Sequence, residues 1–444
     1  MEILENPGYT VPVQPPARDG VRWLRGRVPR FAEGPVHARR RALAERMLGA
    51  LDAAALRRPG APVANLAEAL GLPRSAAADV ALVASCYQPH QCVTAAADEA
   101  VARLVAAAGG RWDEETAVRL GLLVQAHDAV RAAMAGREPP VPTTRRIAPD
   151  GSEVVVDLAA RPFGAGRHAC PARAQAGALV DGARLFRRMH DGPEPLVLPN
   201  AWDVASAMAL VRAGFAAVGT TSLGVAAAHG LPDAAGRTRS ETRELASRLV
   251  ALPVPITVDI EYGLGADPAE LASELAVLGV AGINVEDGRP GGLAPAAEQA
   301  HLVRAVKDAA PELFVNARVD TYWRHEAREE TRRRADRYVG AGADGVFVPG
   351  LRDSALIGAL ARDLPVPLNL LSQLPLRQLR DLGVRRVSTG SLLFRAALKA
   401  TAETAESVRA GDSVTGLPTY DEVAARTLDE PPGPLAGIET ENPR

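Results

Sequence analysis

Apolar and polar residues follow different patterns in the two halves of this chain. The first 190 residues carry Ala- and Arg-rich stretches with helical spacing, such as "HARRRALAERMLGALDAAAL" and "AADEAVARLVAAAGG", between Pro and Gly residues. From about residue 195 the pattern changes to short β-branched runs that alternate with amphipathic helical segments, which is typical of parallel βα units. The pattern therefore predicts a mostly α-helical first domain and an α/β second domain.

The second half contains eight strand candidates, each followed by a helical segment. They are "PLVLPNA", "AAVGTTS", "PITVDIE", "GINVED", "LFVNARVD", "GVFVPG", "PLNLL" and "RRVSTGS". Eight βα units predict a (β/α)8 TIM barrel, and no G-x-G-x-x-G turn follows the first strand to favour a doubly wound sheet. We therefore predict a helical domain over 1–190, a barrel over 191–412 and a C-terminal tail over 413–444.

Composition excludes several classes of function. The net charge of -2 gives no electrostatic footprint for nucleic acid, and no apolar run approaches the roughly 20 residues of a membrane-spanning helix. The N-terminus lacks a basic start followed by an apolar stretch, and the three cysteines are too few for a disulfide framework. We expect a cytoplasmic protein that acts on a small molecule.

Polar side chains cluster where three consecutive predicted strands end. Alternation along a strand places Asp259 and Glu261 on one face of the third strand, with Asn284 and Glu286 on the fourth and Asn316, Arg318 and Asp320 on the fifth. Active sites of TIM barrels lie at the carboxyl ends of the strands. The sequence therefore predicts that Asp259, Glu261, Glu286 and Arg318 share one rim.

Closely packed carboxylates repel one another unless a cation neutralises them. Oxygen ligands of this kind suit magnesium, and an arginine beside the ion could hold a substrate carboxylate by two hydrogen bonds. The alternative is a salt-bridge network that closes the barrel mouth. After the second strand, Thr221 and Ser222 offer hydroxyl and amide groups to a carboxylate, whereas Asp233 by itself is typical of a turn.

Six motifs in order resemble the isocitrate lyase and phosphoenolpyruvate mutase superfamily over about residues 195–400. They are "PNAWD", "TTSLGVAAAHGLPD", "VDIEYGLG", "INVEDG", "VNARVD" and "STGSLLFRAAL". The resemblance implies a magnesium-dependent enzyme that cleaves a small 2-oxo or 2-hydroxy carboxylate through an enolate. It also implies a homo-oligomer, a dimer or tetramer, in which partners exchange the last barrel helix.

The resemblance also implies roles for individual residues. Asp259 would bind the metal directly, and Glu261 and Glu286 would hold metal-bound waters. The substrate carboxylate would be bound by Thr221, Ser222, Asn316 and Arg318, and the catalytic residues would be Asp233, Glu286 and Arg318.

The chain departs from the superfamily in the loop after the fourth strand. Isocitrate and methylisocitrate lyases carry a Lys-(Lys/Arg)-Cys-Gly-His loop there, whereas this chain has "EDGRPGGLAPAAEQ" and no cysteine in the barrel half. The corresponding Lys with Asn or Thr of carbon–phosphorus enzymes is also absent, which weakens but keeps open a mutase or phosphonopyruvate-hydrolysing activity. The branch with short loops, which includes oxaloacetate decarboxylases, remains, with Tyr262 and His229 as candidate proton donors.

One mechanism is excluded by the lysines, and one further alternative stays open. The two lysines, Lys307 and Lys399, lie on predicted helices, so a Schiff-base mechanism has no lysine at a strand end. A non-catalytic protein that binds a metabolite would show the same motifs.

The stretch "RPFGAGRHACPARAQA" in the first half resembles the haem-binding loop of haem-thiolate cytochrome monooxygenases, with Ala172 in place of its last glycine. The resemblance implies Cys170 as a haem ligand. The half is much shorter than those enzymes and lacks their Glu-x-x-Arg helix, which favours a structural or partner-binding remnant.

Overall fold

The structure, a computed structural model, describes residues 3–134, 136–265 and 267–424. The chain divides into two compact units. The first runs to Leu185 and includes Val277–Gly279, and the second comprises Phe186–Ala276 and the described residues from Val280 onwards. Residues 425–444 of the predicted tail lie outside the described residues.

The first unit is mostly helical. Its helices are α1 (Gly20–Arg27), α2 (Gly34–Gly49), α3 (Ala53–Leu56), α4 (Pro62–Ala69), α5 (Ala76–Ala84), α6 (Ala95–Ala107), α7 (Glu114–Met134) and most of α8 (Arg173–Arg188). Strands β1 (Thr143–Ile147) and β2 (Glu153–Asp157) pair antiparallel, and 3-10 turns cover Pro29–Phe31 and Gly166–His168.

Capping residues fix where the longer helices of this unit begin. The Thr94 hydroxyl accepts a hydrogen bond from the amide of Ala97 (3.2 Å) at the start of α6. The Asp113 carboxylate accepts one from the amide of Thr116 (2.8 Å) at the start of α7. The apolar faces of the helices then bury a core that includes Trp23, Leu24, Val80, Leu104, Leu120 and Leu123.

The second unit alternates strands and helices. Its strands are β3 (Leu196–Leu198), β4 (Asn200–Ala201), β5 (Val218–Thr220), β6 (Ile256–Asp259), β7 (Gly282–Glu286), β8 (Gly288–Arg289), β9 (Gly292–Leu293), β10 (Phe314–Arg318), β11 (Gly345–Phe347), β12 (Leu368–Leu371) and β13 (Arg386–Ser388). Its helices are α9 (Val204–Arg212), α10 (Ser222–Ala228), α11 (Arg239–Leu249), α12 (Pro268–Leu278), α13 (Ala296–Ala309), α14 (Thr331–Gly340), α15 (Ser354–Asp363), α16 (Leu376–Asp381), α17 (Leu392–Ala410) and α18 (Tyr420–Ala424), with a 3-10 turn at Arg328–Glu330.

Nine strands form one sheet in the order β3-β13-β12-β11-β10-β7-β6-β5-β4, and each neighbouring pair is parallel. The outermost members, β3 and β4, are pieces of one strand separated only by Pro199. The sheet therefore nearly closes on itself. The predicted α/β fold is confirmed, and the barrel-like sheet agrees with the prediction of eight βα units.

Asn200 joins the two edges of this sheet. Pro199 has no N–H group and interrupts the hydrogen-bond ladder of the first strand. The side-chain oxygen of Asn200 accepts hydrogen bonds from the amides of Thr389 (3.0 Å) and Gly390 (2.8 Å), just beyond β13. Its side-chain nitrogen donates to the carbonyl of Thr220 on β5 (2.7 Å). One buried amide thus links the last strand to the second.

The amino ends of the strands are filled by an apolar cluster. Phe186, Leu196 and Phe314 pack together there. The His190 ring stacks on Phe314, with 4.4 Å between centroids and 10° between planes, and its Nδ1 lies 2.8 Å from the Phe186 carbonyl oxygen. This packing fills the amino end of the barrel, so the polar carboxyl end is the place to look for a site.

Candidate active site

Strands β6, β7 and β10 are neighbours in the sheet and deliver the predicted rim residues together. Asp259 pairs in register with Asn284, and Glu286 pairs in register with Arg318. Because parallel strands end at the same edge of a sheet, the side chains of Asp259, Glu286 and Arg318 meet there. The structure thus brings together these three of the predicted site residues.

The Arg318 guanidinium lies between two carboxylates. Its Nη1 is 2.7 Å from Oε2 of Glu286, and its Nε is 2.5 Å from Oδ1 of Asp320. Burial opposes its charge, but Glu286, Asp320 and Asp259 together raise the pKa of Arg318 above its ordinary value. An ion-pair network at the barrel mouth, the alternative weighed above, is therefore present around this residue.

Asp320 is held in place from behind by Asp287. The amide of Asp320 donates to Oδ1 of Asp287 (2.8 Å). Oδ2 of Asp287 accepts hydrogen bonds from the hydroxyl of Tyr338 (2.7 Å) and from Nη1 of Arg334 (3.0 Å), both on α14. Asp287 follows Glu286 in the chain and points the other way, so alternation along the strand predicts its outward position but not its role as a support.

Glu261 reaches the rim by a different route from the predicted one. The strand β6 ends at Asp259, and Glu261 adopts the left-handed conformation with φ 49° instead of continuing the pleat. Its amide donates to Oδ1 of Asp259 (3.1 Å), and its Oε2 accepts from the amide of Gly236 (2.8 Å). The turn therefore brings the two acidic residues together, and alternation along a strand was the wrong reason for their convergence.

The acidic residues at the rim resist ionisation. Burial raises the pKa of Asp259 to about 6, that of Glu261 to about 7 and that of Glu286 to about 8, and neighbouring carboxylates add to each shift. Oε1 of Glu261 is buried and has no hydrogen-bond partner among the described residues. With Asp320, the described part of the rim holds four carboxyl groups beside the guanidinium of Arg318, and this concentration of acidic groups favours a bound cation.

No three His, Cys, Asp or Glu side chains within 3–134, 136–265 and 267–424 are grouped so as to hold a metal ion directly. Magnesium keeps several waters and takes one or two carboxylates. The partly exposed Asp259 and the unpartnered oxygen of Glu261 fit that mode of binding, and not that of a closed protein cage.

The remaining predicted site residues differ in how far their side chains are buried. Thr221 is buried immediately before α10, and Ser222 is the first residue of that helix. Asp233 is exposed between α10 and α11, and its negative charge contributes to the raised pKa values of Asp259 and Glu261. Asn316 is buried, and its Nδ2 donates to Oδ1 of Asn284 (2.8 Å), two positions before the rim residue Arg318.

Arg386 is a cation in the barrel interior that sequence reasoning missed. It is 1% exposed, and its Nη2 donates to Oδ1 of Asn284 (3.2 Å). Its Nε and Nη1 have no partner among the described residues, and burial lowers its pKa to about 9. The sequence carried one signal for the interior position of Arg386. It is a charged residue at the start of the predicted eighth strand, and alternation along that strand places it on the same face as Ser388.

The candidate proton donors lie in ordinary surroundings. Nδ1 of the exposed His229 lies 2.9 Å from the Val225 carbonyl oxygen of its own helix. The Tyr262 ring lies under the guanidinium of Arg289, with 5.0 Å from Cζ to the centroid.

Nζ of Lys307 lies 2.8 Å from Oδ2 of Asp344, just before β11 begins, so it is at the amino end of the sheet.

The haem-like loop of the first unit forms a surface turn. Cys170 is exposed, and its amide donates to the Phe163 carbonyl (2.8 Å). The guanidinium of Arg173 lies 4.7 Å from the centroid of the Phe163 ring.

No helix in the part of the chain that the structure describes is both long and apolar enough to cross a membrane.

Comparison with known proteins identifies relatives of the second unit. The family model for phosphoenolpyruvate phosphomutase matches residues 186–409. An uncharacterized protein of Mycobacterium tuberculosis (strain ATCC 25618 / H37Rv) is 44% identical over 248 residues, which cover 55% of this chain and 96% of that protein. The 2-methylisocitrate lyase of Bacillus subtilis (strain 168) is 34% identical over 198 residues, covering 42% of this chain and 65% of the lyase.

Two further proteins extend the comparison. The oxaloacetate decarboxylase of Pseudomonas aeruginosa (strain UCBPP-PA14) is 32% identical over 240 residues, covering 49% of this chain and 82% of the decarboxylase. The crystal structure of phosphoenolpyruvate phosphomutase from Streptomyces platensis subsp. rosaceus matches with a TM-score of 0.50 and 25% identity, covering 55% of this chain and 95% of that one. The relatives indicate a carbon–carbon lyase. Since the family model spans half of its residues, the chain belongs to the phosphoenolpyruvate phosphomutase family, within the isocitrate lyase and phosphoenolpyruvate mutase superfamily.

Proposed function

We propose that the second unit is a (β/α)8 barrel that binds magnesium and cleaves a carbon–carbon bond of a small 2-oxo or 2-hydroxy carboxylate through an enolate. The observation that carries this proposal is the rim itself, in which Asp259, Glu286 and Asp320 act on Arg318 at the carboxyl ends of the strands and Glu261 lies beside Asp259. Such an excess of buried carboxyl groups suits a divalent cation.

In this proposal Asp259 is the direct metal ligand, and Glu261 and Glu286 hold metal-bound waters. Magnesium would supply positive charge to the enolate oxygen as that charge develops. Glu286 has a second task, because its ion pair with Nη1 of Arg318 holds the guanidinium at the rim. Asp320 restrains the same side chain at Nε. Arg318 is therefore oriented before any substrate arrives.

The substrate carboxylate would be bound by Arg318 together with the hydroxyl and amide groups of Thr221 and Ser222. Asn316 would support this arrangement from the layer below, through its hydrogen bond to Asn284 (2.8 Å). Asp233 would lie near the reacting bond and hold or move a proton there. In a decarboxylation, the bond to the departing carboxylate breaks, its electron pair enters the enolate, and a proton then returns to carbon.

The loop after β7 favours decarboxylation over isocitrate cleavage. In place of a Lys-(Lys/Arg)-Cys-Gly-His loop it folds as a hairpin of β8 and β9. The side chain of Arg289 in this hairpin donates to the carbonyl of Glu286 (2.7 Å) and to Oε1 of Gln299 (2.8 Å). This cation braces the loop, and with no cysteine acid present the proton would come from solvent or another side chain.

The test is an assay of the purified protein with magnesium and a panel of oxaloacetate, substituted malates, methylisocitrate and phosphonopyruvate. We expect release of a 2-oxo acid that stops with a chelator and with Asp259→Asn. The matched control is Asp363→Asn, at the exposed end of α15, which should retain activity. Cleavage of phosphonopyruvate alone would support carbon–phosphorus chemistry, and binding of an acid without turnover would support a metabolite-binding protein.

Two finer expectations belong with this proposal. The exposed apolar residues Leu392, Leu398 and Val408 on α17 support a homo-oligomer whose subunits contact each other through this helix. Light scattering on the protein as it elutes from a size-exclusion column measures its mass and tests this expectation. For haem, the exposed Cys170 does not fit the enclosed surroundings that tune a haem ligand, so no step of the proposed reaction uses haem. A Soret band after haem supplementation would contradict that assignment.

A further inference from the structure

Trp323 lies beside the proposed substrate-binding arginine although no sequence motif marks it. Its ring centroid is 5.8 Å from Cζ of Arg318, and the residue is 52% exposed. Resting on the proposed function, we propose that Trp323 is a specificity-determining residue whose indole forms an apolar wall of the site. This wall favours acids that carry an alkyl group next to the reacting carbon over acids that carry hydrogen or a polar group there.

The indole is presented on a braced segment, not on a free loop. The amide of Arg324 donates to the carbonyl of Asp320 (2.8 Å), and the amide of Glu326 donates to the carbonyl of Thr321 (3.0 Å). The buried hydroxyl of Thr321 lies 2.6 Å from that of Thr331, at the start of α14. The residues on both sides of Trp323 are thereby fixed to the barrel.

A glycine in the neighbouring loop allows this arrangement. Gly350, after β11, has φ 81°, and a Cβ atom there would lie 3.3 Å from the Tyr322 carbonyl oxygen and 3.4 Å from the backbone nitrogen of Trp323. The two loops therefore pack backbone against backbone. The position of the indole over the rim follows from this contact and from the hydrogen bonds of its own segment.

The position of the indole restricts how an acid can bind. Two edges of the Arg318 guanidinium are used by Glu286 and Asp320, and the Trp323 and Phe347 rings lie 5.8 and 5.9 Å from its Cζ. A carboxylate bound at the remaining edge brings its neighbouring carbon close to the exposed indole. An alkyl group there removes apolar surface from water, whereas a hydroxyl or carboxylate would lose water without gaining a partner.

The test compares kcat/KM for matched acids that differ by one methyl group, such as oxaloacetate and 3-methyloxaloacetate. We expect the unmodified protein to prefer the methylated acid by about 4-fold, the effect of removing one CH2 group from water against an apolar surface. Trp323→Ala should abolish the preference, and Trp323→Phe should retain part of it. Trp112→Phe, which changes an exposed tryptophan of the first unit, is the matched control and should leave the preference intact. An unchanged preference in Trp323→Ala would overturn the proposal.

A binding measurement separates this inference from the proposed reaction. Calorimetric titration, a readout that does not depend on Trp323, is carried out with succinate and 2-methylsuccinate, which cannot be decarboxylated as 2-oxo acids are. Tighter binding of 2-methylsuccinate that is lost in Trp323→Ala would support the apolar wall even if the assay panel gives no turnover. Turnover with no methyl preference in either measurement would refute the wall and leave the proposed reaction standing. Thermal melts of Trp323→Ala and Trp323→Phe confirm that each is folded.

Discussion

Arg318 and Glu286 stand opposite each other on neighbouring parallel strands, with 2.7 Å between Nη1 and Oε2. Both side chains are largely buried, so neither charge is well compensated by water when the other is removed. Loss of one partner from a buried pair commonly costs 3–5 kcal/mol, whereas loss of both can be close to neutral. A change to either residue of the pair should therefore alter both the free energy of unfolding of the barrel and the activity of the rim.

Arg318→Met should lower the free energy of unfolding by about 3 kcal/mol, because Glu286 and Asp320 lose their cation. The double variant Arg318→Met/Glu286→Met should recover part of that loss, while activity is abolished in both. Chemical denaturation of Arg318→Met, Glu286→Met and the double variant measures the coupling energy. Equal losses in the single variant and the double variant would show that Glu286 is not the partner that matters.

Asn200→Ala should open the junction between the first and last strands. The substitution leaves the half-buried amide of Gly390 and the buried carbonyl of Thr220 without this partner, whereas the amide of Thr389 keeps a longer bond to the Leu198 carbonyl (3.3 Å). A buried group that loses its partner costs about 1–3 kcal/mol, so we expect a loss of about 2 kcal/mol and a fall in melting temperature of roughly 4–8 °C. Asn6→Ala, whose oxygen accepts an exposed bond from Gly8, is the control and should change the melting temperature little.

His190 should make the protein less stable in mild acid. Burial, with help from Arg386, lowers its pKa to about 3, so the folded protein keeps it neutral while the unfolded chain binds a proton below about 6.5. Stability therefore falls as pH decreases through the window from about 6.5 to about 3, by about 2 kcal/mol at pH 5.

Unfolding free energies of His190→Gln at pH 7 and pH 5 test this expectation. Glutamine does not titrate, so the variant should lose less stability between the two pH values than the unmodified protein does. His301→Gln, at an exposed position, should keep the original pH dependence. The idea fails if both variants respond to pH alike.

Arg386→Met should stabilise the protein. The guanidinium has two buried nitrogens without partners among the residues that the structure describes, and Asn284 keeps the hydrogen bond from Asn316 when Arg386 is removed. Removing such groups in favour of an apolar side chain of similar length is expected to add about 1–3 kcal/mol. Arg385→Met is the matched control, because Arg385 donates to the carbonyl of Gly192 (2.9 Å) and should not gain stability. A lower melting temperature in Arg386→Met would contradict this account.

The sequence predicted the α/β fold and the meeting of Asp259, Glu286 and Arg318, because alternation and parallel pairing are local rules that act within and between adjacent strands. It did not predict the left-handed turn at Glu261. That conformation is unfavourable for a glutamate taken alone, and it persists through contacts with Asp259 and Gly236 that only the folded chain provides.

Supporting residues were harder to foresee for the same physical reason. Asp287 acts through α14, Arg386 through the interior layer of amides, and Trp323 through a loop that packs on Gly350. Each depends on a contact between segments far apart in the chain. Periodicity describes which face a residue occupies, but it carries no information about which distant segment will meet that face.

The break at Pro199 also has a consequence for folding kinetics. The bond between Asn200 and Thr389 closes a loop of 189 residues, so the first strand cannot be completed until nearly the whole second unit has been synthesised. Contacts this distant in sequence slow folding, because the entropy of a long loop is lost before the contact is gained. Until then the first strand, made of β3 and β4, is an open sheet edge, and unpaired edges promote association between chains. When synthesis is slow, or when the chain is truncated before residue 389, the incomplete barrel should therefore aggregate more readily.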